Sequence, residues 1–104
     1  MDDDISRQIK ELLPFFFTET VKDLDKLENY VNKHDFESLR SLAHTLKGEC
    51  GGYGFSQLSH IAEKIETAAN EEKLEEVKNY IIKFRTITVK AQSELLSTEE
   101  ANYG

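Results

Sequence analysis

The sequence predicts an all-α protein: an antiparallel up-down four-helix bundle with a short N-terminal covering helix. Three observations predict this class. Apolar residues recur every three or four positions in each segment, which is the spacing of one helix face. The chain has one proline and five glycines, and four of these glycines fall between positions 48 and 54, so most of it lacks the turn residues that strands require. A length of 104 residues fits one domain.

The first two predicted helices meet at the proline. Residues 1–13 are expected to form the covering helix, which Asp2 to Asp4 can cap. Pro14 interrupts this helix and, because proline is tolerated in a first helical turn, it is expected to open the second helix or to kink into it. The apolar faces consist of Ile5, Ile9, Leu12 and Leu13 in the first helix and of Phe17, Val21, Leu24, Leu27 and Val31 in the second.

Three further helices complete the predicted bundle of residues 14–96, and residues 97–104 are expected to form a flexible tail. Asp35 can cap the third helix, which the glycine cluster ends, and Ser56 can cap the fourth. Short connections between long amphipathic helices favour an antiparallel arrangement. The apolar faces consist of Phe36, Leu39, Leu42, Ala43, Leu46 and Cys50 in the third helix, Leu58, Ile61, Ile65 and Ala69 in the fourth, and Leu74, Val77, Ile81, Phe84, Thr88, Ala91 and Leu95 in the fifth.

Composition excludes several classes of function. The net charge of −7 argues against broad nucleic-acid binding, which requires a basic surface. No apolar run approaches the ~20 residues that cross a bilayer, so membrane insertion is not expected. The acidic start is unlike a signal peptide, and the single Cys50 cannot form an internal disulfide. These observations predict a cytoplasmic protein, and we expect a monomer.

Helical bundles also hold metals, so a metal site is an alternative. Diiron bundles use Glu-x-x-His pairs. The residues three positions before the three histidines are Val31, Ser41 and Gln57, so no such pair exists. No metal is therefore expected, and a metal-dependent bundle enzyme is disfavoured.

His44 is predicted to point outward from the third helix. At 100° per residue, the apolar face of this helix is centred about 140° away from His44. An exposed imidazole is mostly neutral near pH 7 and can attack a phosphoryl group. Cations one turn away can offset the charge of the product, and glycines leave room for another protein to approach. The residues within about 60° of His44 include Arg40, Ser41, Lys47, Gly48 and Gly51.

The string Ala43-His44-Thr45-Leu46-Lys47-Gly48, followed by Gly51 and Gly54, resembles the motif of histidine-containing phosphotransfer (HPt) domains. The resemblance extends over roughly the whole chain. It implies a four-helix bundle in which His44 carries a phosphoryl group, with Lys47 and Gly48 matching the lysine and glycine of the motif. Glu49 stands where the family usually has a small residue, and Tyr53 where leucine or phenylalanine is common.

The resemblance also implies the partners. HPt domains pass phosphoryl groups to or from the aspartate of a receiver domain, in a response regulator or hybrid sensor kinase, within a multistep phosphorelay. The other transfer that the resemblance allows runs from a sensor kinase to a response regulator. The domain has no kinase activity of its own. It needs no cofactor, because the receiver supplies Mg²⁺.

Further residues are candidates around His44. Glu66 would orient the imidazole if the third and fourth helices are antiparallel neighbours, and otherwise it is a surface carboxylate. Receivers dock in this family beside the histidine, on a surface that includes apolar residues of the first helix. Alternatively, the aromatic residues Phe15 and Phe16 pack the first helix onto the bundle. The candidate docking residues are Ile9, Leu13, Phe15, Phe16 and Ser41.

A helical interaction module that keeps the fold without the chemistry is the second hypothesis. Loss of the histidine or the lysine from the motif would favour it. Both residues are present, so the sequence favours phosphotransfer.

Overall fold

A computed structural model of the chain describes residues 2–103, and the side chains of residues 11–95. The predicted all-α class is confirmed, because residues 2–103 contain helices and no strand. The four helices are α1 (Asp2–Asn32), α2 (Phe36–Gly52), α3 (Ser56–Asn70) and α4 (Leu74–Tyr103).

The helices form a closed ring of neighbours. Helix α1 packs against α2 and α4, and α3 packs against the same two helices, so α2 and α4 are diagonal to each other. Each connection spans three residues: 33–35, 53–55 and 71–73. Three residues span at most about 10 Å, whereas even α3, with 15 residues, is about 22 Å long. Consecutive helices therefore run antiparallel.

Helix α1 corrects the prediction of a separate covering helix. It runs from Asp2 to Asn32 with Pro14 inside it, so Pro14 does not open a second helix. Proline removes one backbone donor, but Leu13 before it and Phe16 and Phe17 after it are buried in one core. Packing on both sides of the proline thus favours one continuous helix. Helix α4 is also longer than predicted, because it continues to Tyr103 rather than ending near residue 96.

The three helix ends share one hydrogen-bonding pattern, the Schellman motif. In each case a backbone N–H beyond the helix donates to a carbonyl five residues earlier, as Phe55 does to Cys50 at 2.9 Å. The residue before that donor has a positive φ, which is 54° at His34, 85° at Gly54 and 55° at Glu72. These motifs explain how three residues reverse the chain.

The N-termini of α2 and α3 differ. Asp35 caps α2 as predicted, because its carboxylate accepts a hydrogen bond from the Ser38 backbone N–H at 3.1 Å. Hydrogen bonds from the Ser38 side chain and backbone lower the pKa of Asp35. Ser56, predicted to cap α3, is instead its first residue; Phe55 occupies the cap position and makes no side-chain cap hydrogen bond.

The core lies along the centre of the ring. Cys50, predicted to be buried, is fully inaccessible, and burial raises the pKa of its thiol to about 12. The largest fully buried side chains come from all four helices: Phe17, Leu24 and Leu27 of α1, Leu39 and Leu46 of α2, Leu58 and Ile65 of α3, and Val77 and Phe84 of α4.

Candidate functional site

The candidate site is centred on His44, on the outward face of α2. The His44 side chain is 67% exposed, as the helical wheel predicts, and its Nδ1 atom lies 2.8 Å from Oε2 of Glu66. Glu66 belongs to α3 and is more sheltered, with 23% of its side chain exposed. The structure therefore brings together two residues that are 22 positions apart in the sequence.

The packing of α3 against α2 positions Glu66. Ser59 lies two turns before Glu66 on α3, and its hydroxyl donates a hydrogen bond of 2.9 Å to the Lys47 carbonyl. A Cβ at Gly51 would lie in van der Waals contact with the same hydroxyl, at 3.4 Å, so Gly51 faces Ser59 across the two helices. Ser59 belongs to no motif of the sequence, and its spacing of seven residues from Glu66 is the available signal for it.

The hydrogen bond to Glu66 selects the nitrogen of His44 that carries the proton. A carboxylate accepts hydrogen bonds but cannot donate them, so Nδ1 of the imidazole carries the proton and donates. In the neutral ring, Nε2 then holds the free lone pair. Because the side chain is largely exposed, this nitrogen is accessible to a reactant held by another protein.

Two cations lie one turn before and one turn after His44. Arg40 is exposed and Lys47 is partly exposed. Neither side chain forms an ion pair with any residue among the side chains at positions 11–95. Both charges are therefore available to an anion on the His44 face.

Glycine leaves the surface beside His44 bare. Gly48 is exposed, and a Cβ built there would meet nothing within 4 Å. The helix thus gains nothing in packing from this glycine, which costs about 1 kcal/mol relative to alanine at such a position. Gly51 lies a further turn along the same face and is also exposed.

The candidate docking residues separate into two groups. Phe15, 62% exposed, and Ser41 lie at the surface, as a docking role requires. Leu13 and Phe16 are only 7% and 4% exposed, which corrects their assignment to a docking surface. The side chain of Ile9 is outside the described residues.

The contacts of Phe16 explain why it is buried although its neighbour Phe15 is exposed. Successive side chains of a helix point about 100° apart, so three adjacent aromatics cannot face one core. Phe16 stacks on Phe55 with ring centroids 5.1 Å apart, and it lies 4.6 Å from the Tyr53 ring. It therefore packs α1 onto the turn between α2 and α3.

An acidic groove of about 400 Å³ lies between α1 and α2, next to the His44 face. Burial raises the pKa of Asp23 and, assisted by the nearby Asp23 and Glu19 carboxylates, that of Glu49. Glu49 stands out in the sequence only as a departure from the family motif, and the cluster cannot be read from the sequence because its members come from two helices. The groove is lined by Phe15, Phe16, Glu19, Asp23, Leu42, Thr45, Glu49 and Tyr53.

The described residues were also compared with the requirements of metal binding and membrane insertion. His34 and His60 are both exposed. Among the described side chains, no group of three His, Cys, Asp or Glu residues could hold a metal ion. Over the same part of the chain, no helix has the length and apolar character needed to cross a membrane.

Comparison with known proteins identifies a family. A family model described as "Hpt domain" matches residues 11–87, which is more than half of the chain and includes His44, Lys47, Gly48 and Glu66. No curated protein and no solved structure is significantly similar to the chain.

Proposed function

Because the chain belongs to the Hpt domain family, whose members act in histidine phosphotransfer within two-component phosphorelays, we propose that His44 is its phosphoryl acceptor. The chain would carry the group reversibly between receiver domains, or from a sensor kinase to a response regulator. The observation that carries this proposal is the exposed imidazole with Nδ1 held by Glu66 at 2.8 Å. That contact leaves Nε2 as the nucleophile.

The transfer step follows from this geometry. Nε2 attacks the phosphorus of a receiver phosphoaspartate in line, so a P–N bond forms while the P–O bond to aspartate breaks. The aspartate leaves as a carboxylate. The phosphorylated ring keeps the proton on Nδ1 and therefore carries a positive charge. The Glu66 carboxylate stabilises this charge for as long as the proton remains. The receiver supplies Mg²⁺, and the reverse reaction uses the same groups.

The neighbours of His44 assist in two ways. Lys47 and Arg40 have no competing ion pair within residues 11–95, so both can offset the charge of the phosphoryl oxygens. Gly48, with open space around it, leaves room for the receiver to close over the imidazole, and the exposed backbone at Gly51 extends this surface. Phe15 and Ser41 are the exposed candidates for contact with the receiver.

The chain would act as a phosphorelay intermediate without kinase activity of its own. The family assignment supports this role, since Hpt domains act as phosphotransfer intermediates. We further propose that it works as a cytoplasmic monomer and requires no cofactor beyond the Mg²⁺ of its receiver partner.

Intact-mass measurement tests the proposal. The protein is mixed with Mg²⁺ and a panel of phosphorylated receivers, with His44→Gln beside the wild type. We expect one acid-labile phosphoryl group on the wild type and none on His44→Gln. His60→Gln is the matched control, because His60 is also an exposed helical histidine, and it should be phosphorylated like the wild type. Equal phosphorylation of a folded His44→Gln variant would contradict the assignment, and no phosphorylation of folded wild type by any receiver would favour the non-catalytic interaction module.

A further inference from the structure

The outward face of α4 carries an uncharged strip with two exposed aliphatic side chains. Ile82 is 64% exposed and Val89 is 54% exposed, two turns apart on one side of the helix. Apart from Val89, three further exposed and uncharged residues lie within about 60° of Ile82, while Lys78 and Glu75, on the same side towards the start of the helix, pair with each other at 3.4 Å. We name the five uncharged residues the α4 strip: Asn79, Ile82, Thr86, Val89 and Ser93.

Helix formation does not account for the composition of the α4 strip. Ile82, Thr86 and Val89 are β-branched, and such residues have lower helix propensity than the alanine, lysine or glutamate that suit exposed helical positions. The exposed apolar surface also does not contribute to the core. Its composition is more typical of a surface that contacts another molecule.

Cations border the α4 strip on both sides. The segment 77–93 contains four cations and no acid, although the chain as a whole has a net charge of −7. On the α1 side, Arg85 pairs with Glu28 at 2.8 Å and with Asp25 at 3.3 Å, so its charge is partly neutralised. The four cations are Lys78, Lys83, Arg85 and Lys90.

The cations on the α3 side of the strip have no ion pair with a described side chain. Lys83 lies 5.6 Å from the centre of the Tyr80 ring, and Lys90 lines a groove between α3 and α4 together with Gln57 and Glu94. Lys64 lies two turns after Gln57 and hence on the same face of α3. Lys64, Lys83 and Lys90 therefore form a cationic flank, with Glu94 as the acid at one end.

The α4 strip lies on the opposite side of the bundle from His44. Helix α4 packs against α1 and α3 and is diagonal to α2, which carries His44. A protein bound over His44 would leave the α4 strip accessible.

We propose that the α4 strip is a second docking surface, which binds an acidic amphipathic helix of a protein partner. Apolar side chains of that helix pack between Ile82 and Val89, whose heptad spacing suits helix pairing. Its carboxylates pair with Lys64, Lys83 and Lys90, and this charge complementarity selects the partner. This inference does not rest on phosphotransfer at His44.

Two other occupants fit the charges less well. A two-fold pairing of two copies would set the Lys83 and Lys90 flank against its own copy, and like charges repel. A lipid surface would gain little, because the α4 strip has two aliphatic residues and no aromatic one, and the net charge of −7 opposes an anionic bilayer.

Titration of isotope-labelled protein with synthetic peptides tests this inference. The probe is a helical peptide with leucine at heptad positions flanked by glutamate, and its control has lysine in place of each glutamate. We expect the glutamate peptide to shift amide resonances of residues 78–93 and Lys64 and to leave the His44 amide unchanged. The lysine peptide should produce no shifts there.

Paired variants supply the quantitative test. Lys83→Glu with Lys90→Glu should weaken binding of the glutamate peptide by about tenfold or more, equivalent to about 1.4 kcal/mol. Lys22→Glu with Lys26→Glu on α1 changes the net charge equally and should alter the affinity less than twofold. Ile82→Ser with Val89→Ser should also weaken binding at least tenfold, while Leu12→Ser, at another exposed aliphatic position, should not.

Four results would overturn the inference. The first is equal binding of both peptides, and the second is a set of amide resonance shifts confined to the groove between α1 and α2. The third is a shift of the α4 strip resonances on dilution, which reports self-association. The fourth is a shift of the α4 resonances produced only by phosphatidylserine vesicles. None of these measurements requires phosphorylation. Failure of the phosphotransfer proposal would therefore leave this test valid.

Discussion

At the scale of single residues, the contact between His44 and Glu66 decides which nitrogen can react. We expect Glu66→Ala to slow phosphorylation of His44 about five- to tenfold, because a lost hydrogen bond of about 1 kcal/mol no longer holds the proton on Nδ1. Glu66→Gln retains an accepting oxygen and should slow the reaction less than threefold. Nitrogen NMR of the ring should show more of the Nε2-protonated tautomer in Glu66→Ala. An unchanged rate and tautomer ratio in that variant would show that the contact has no positioning role.

Substitution of Gly48 should affect the stability of the helix and the rate of phosphoryl transfer in opposite directions. Because a Cβ there meets nothing within 4 Å, Gly48→Gln should stabilise the helix by about 0.5–1 kcal/mol. The same side chain obstructs the receiver, so transfer to His44 should become at least tenfold slower, as measured by rapid-quench phosphorylation.

Gly52→Gln is the control for Gly48→Gln. Gly52 also has open space around it, but it lies at the end of α2, farther from His44. It should transfer phosphoryl groups at the wild-type rate. A normal rate in Gly48→Gln would show that the bare surface is not needed for docking.

The sequence predicts some residues of this site better than others. The exposure of His44 follows from its position opposite the apolar face of one helix, and that position requires no knowledge of the fold. The contact with Glu66 depends on how α2 and α3 pack, so the sequence left it open. Leu13 and Phe16 were candidates for a docking surface, with packing onto the bundle as the alternative, and they are buried, because periodicity identifies an apolar face but not what covers it.

At the scale of elements, two of the three Schellman motifs place an unfavourable residue at the left-handed position. His34 and Glu72 have φ of 54° and 55°, a conformation that strains residues with a Cβ. We expect His34→Gly and Glu72→Gly each to raise the free energy of unfolding by about 0.5–1 kcal/mol, measured by urea denaturation.

Gly54 provides the reverse control for these helix ends. It occupies the equivalent position after α2 with φ of 85°. Gly54→Ala should lower the free energy of unfolding by about 1–2 kcal/mol. If His34→Gly and Glu72→Gly destabilise the protein instead, greater flexibility of the unfolded chain outweighs the relief of strain.

Helix ends and helix interiors differ in how well the sequence predicts them. Asp35 is a strong cap signal and does cap α2, whereas His34 and Glu72 are not recognisable as left-handed residues from their type. Pro14 was predicted to open the second helix or to kink into it, because local propensity disfavours proline inside a helix. Burial of Leu13, Phe16 and Phe17 around it overrides that preference, and this burial exists only in the folded bundle.

At the scale of the whole molecule, charge is distributed unevenly around the ring of helices. The net charge is −7, yet residues 77–93 of α4 carry only cations. Acids gather instead in the groove between α1 and α2, where Glu19, Asp23 and Glu49 face one another. A receiver docked near this groove would meet negative charge, while a partner on α4 would meet positive charge. The two faces therefore favour partners of opposite charge.

The acidic groove also makes stability depend on pH. Partial desolvation, together with the neighbouring carboxylates, raises the pKa of Glu49 in the folded state. Below about pH 4 the carboxyl group is protonated in both states and has no effect. As the pH rises through the raised pKa of the folded state, the unfolded state binds fewer protons, so this group destabilises the fold. Glu49→Gln should therefore raise Tm at pH 7 and leave it unchanged at pH 3.

The size of this effect is small, because Glu49 remains exposed and solvent screens its charge. We expect Tm at pH 7 to rise by about 2 °C, measured by circular dichroism. Glu63→Gln makes the same chemical change at an exposed position of α3 that lies outside the groove, and it should not raise Tm at either pH. A gain of equal size at pH 3 and pH 7 would show that packing, rather than charge, accounts for the effect of Glu49→Gln.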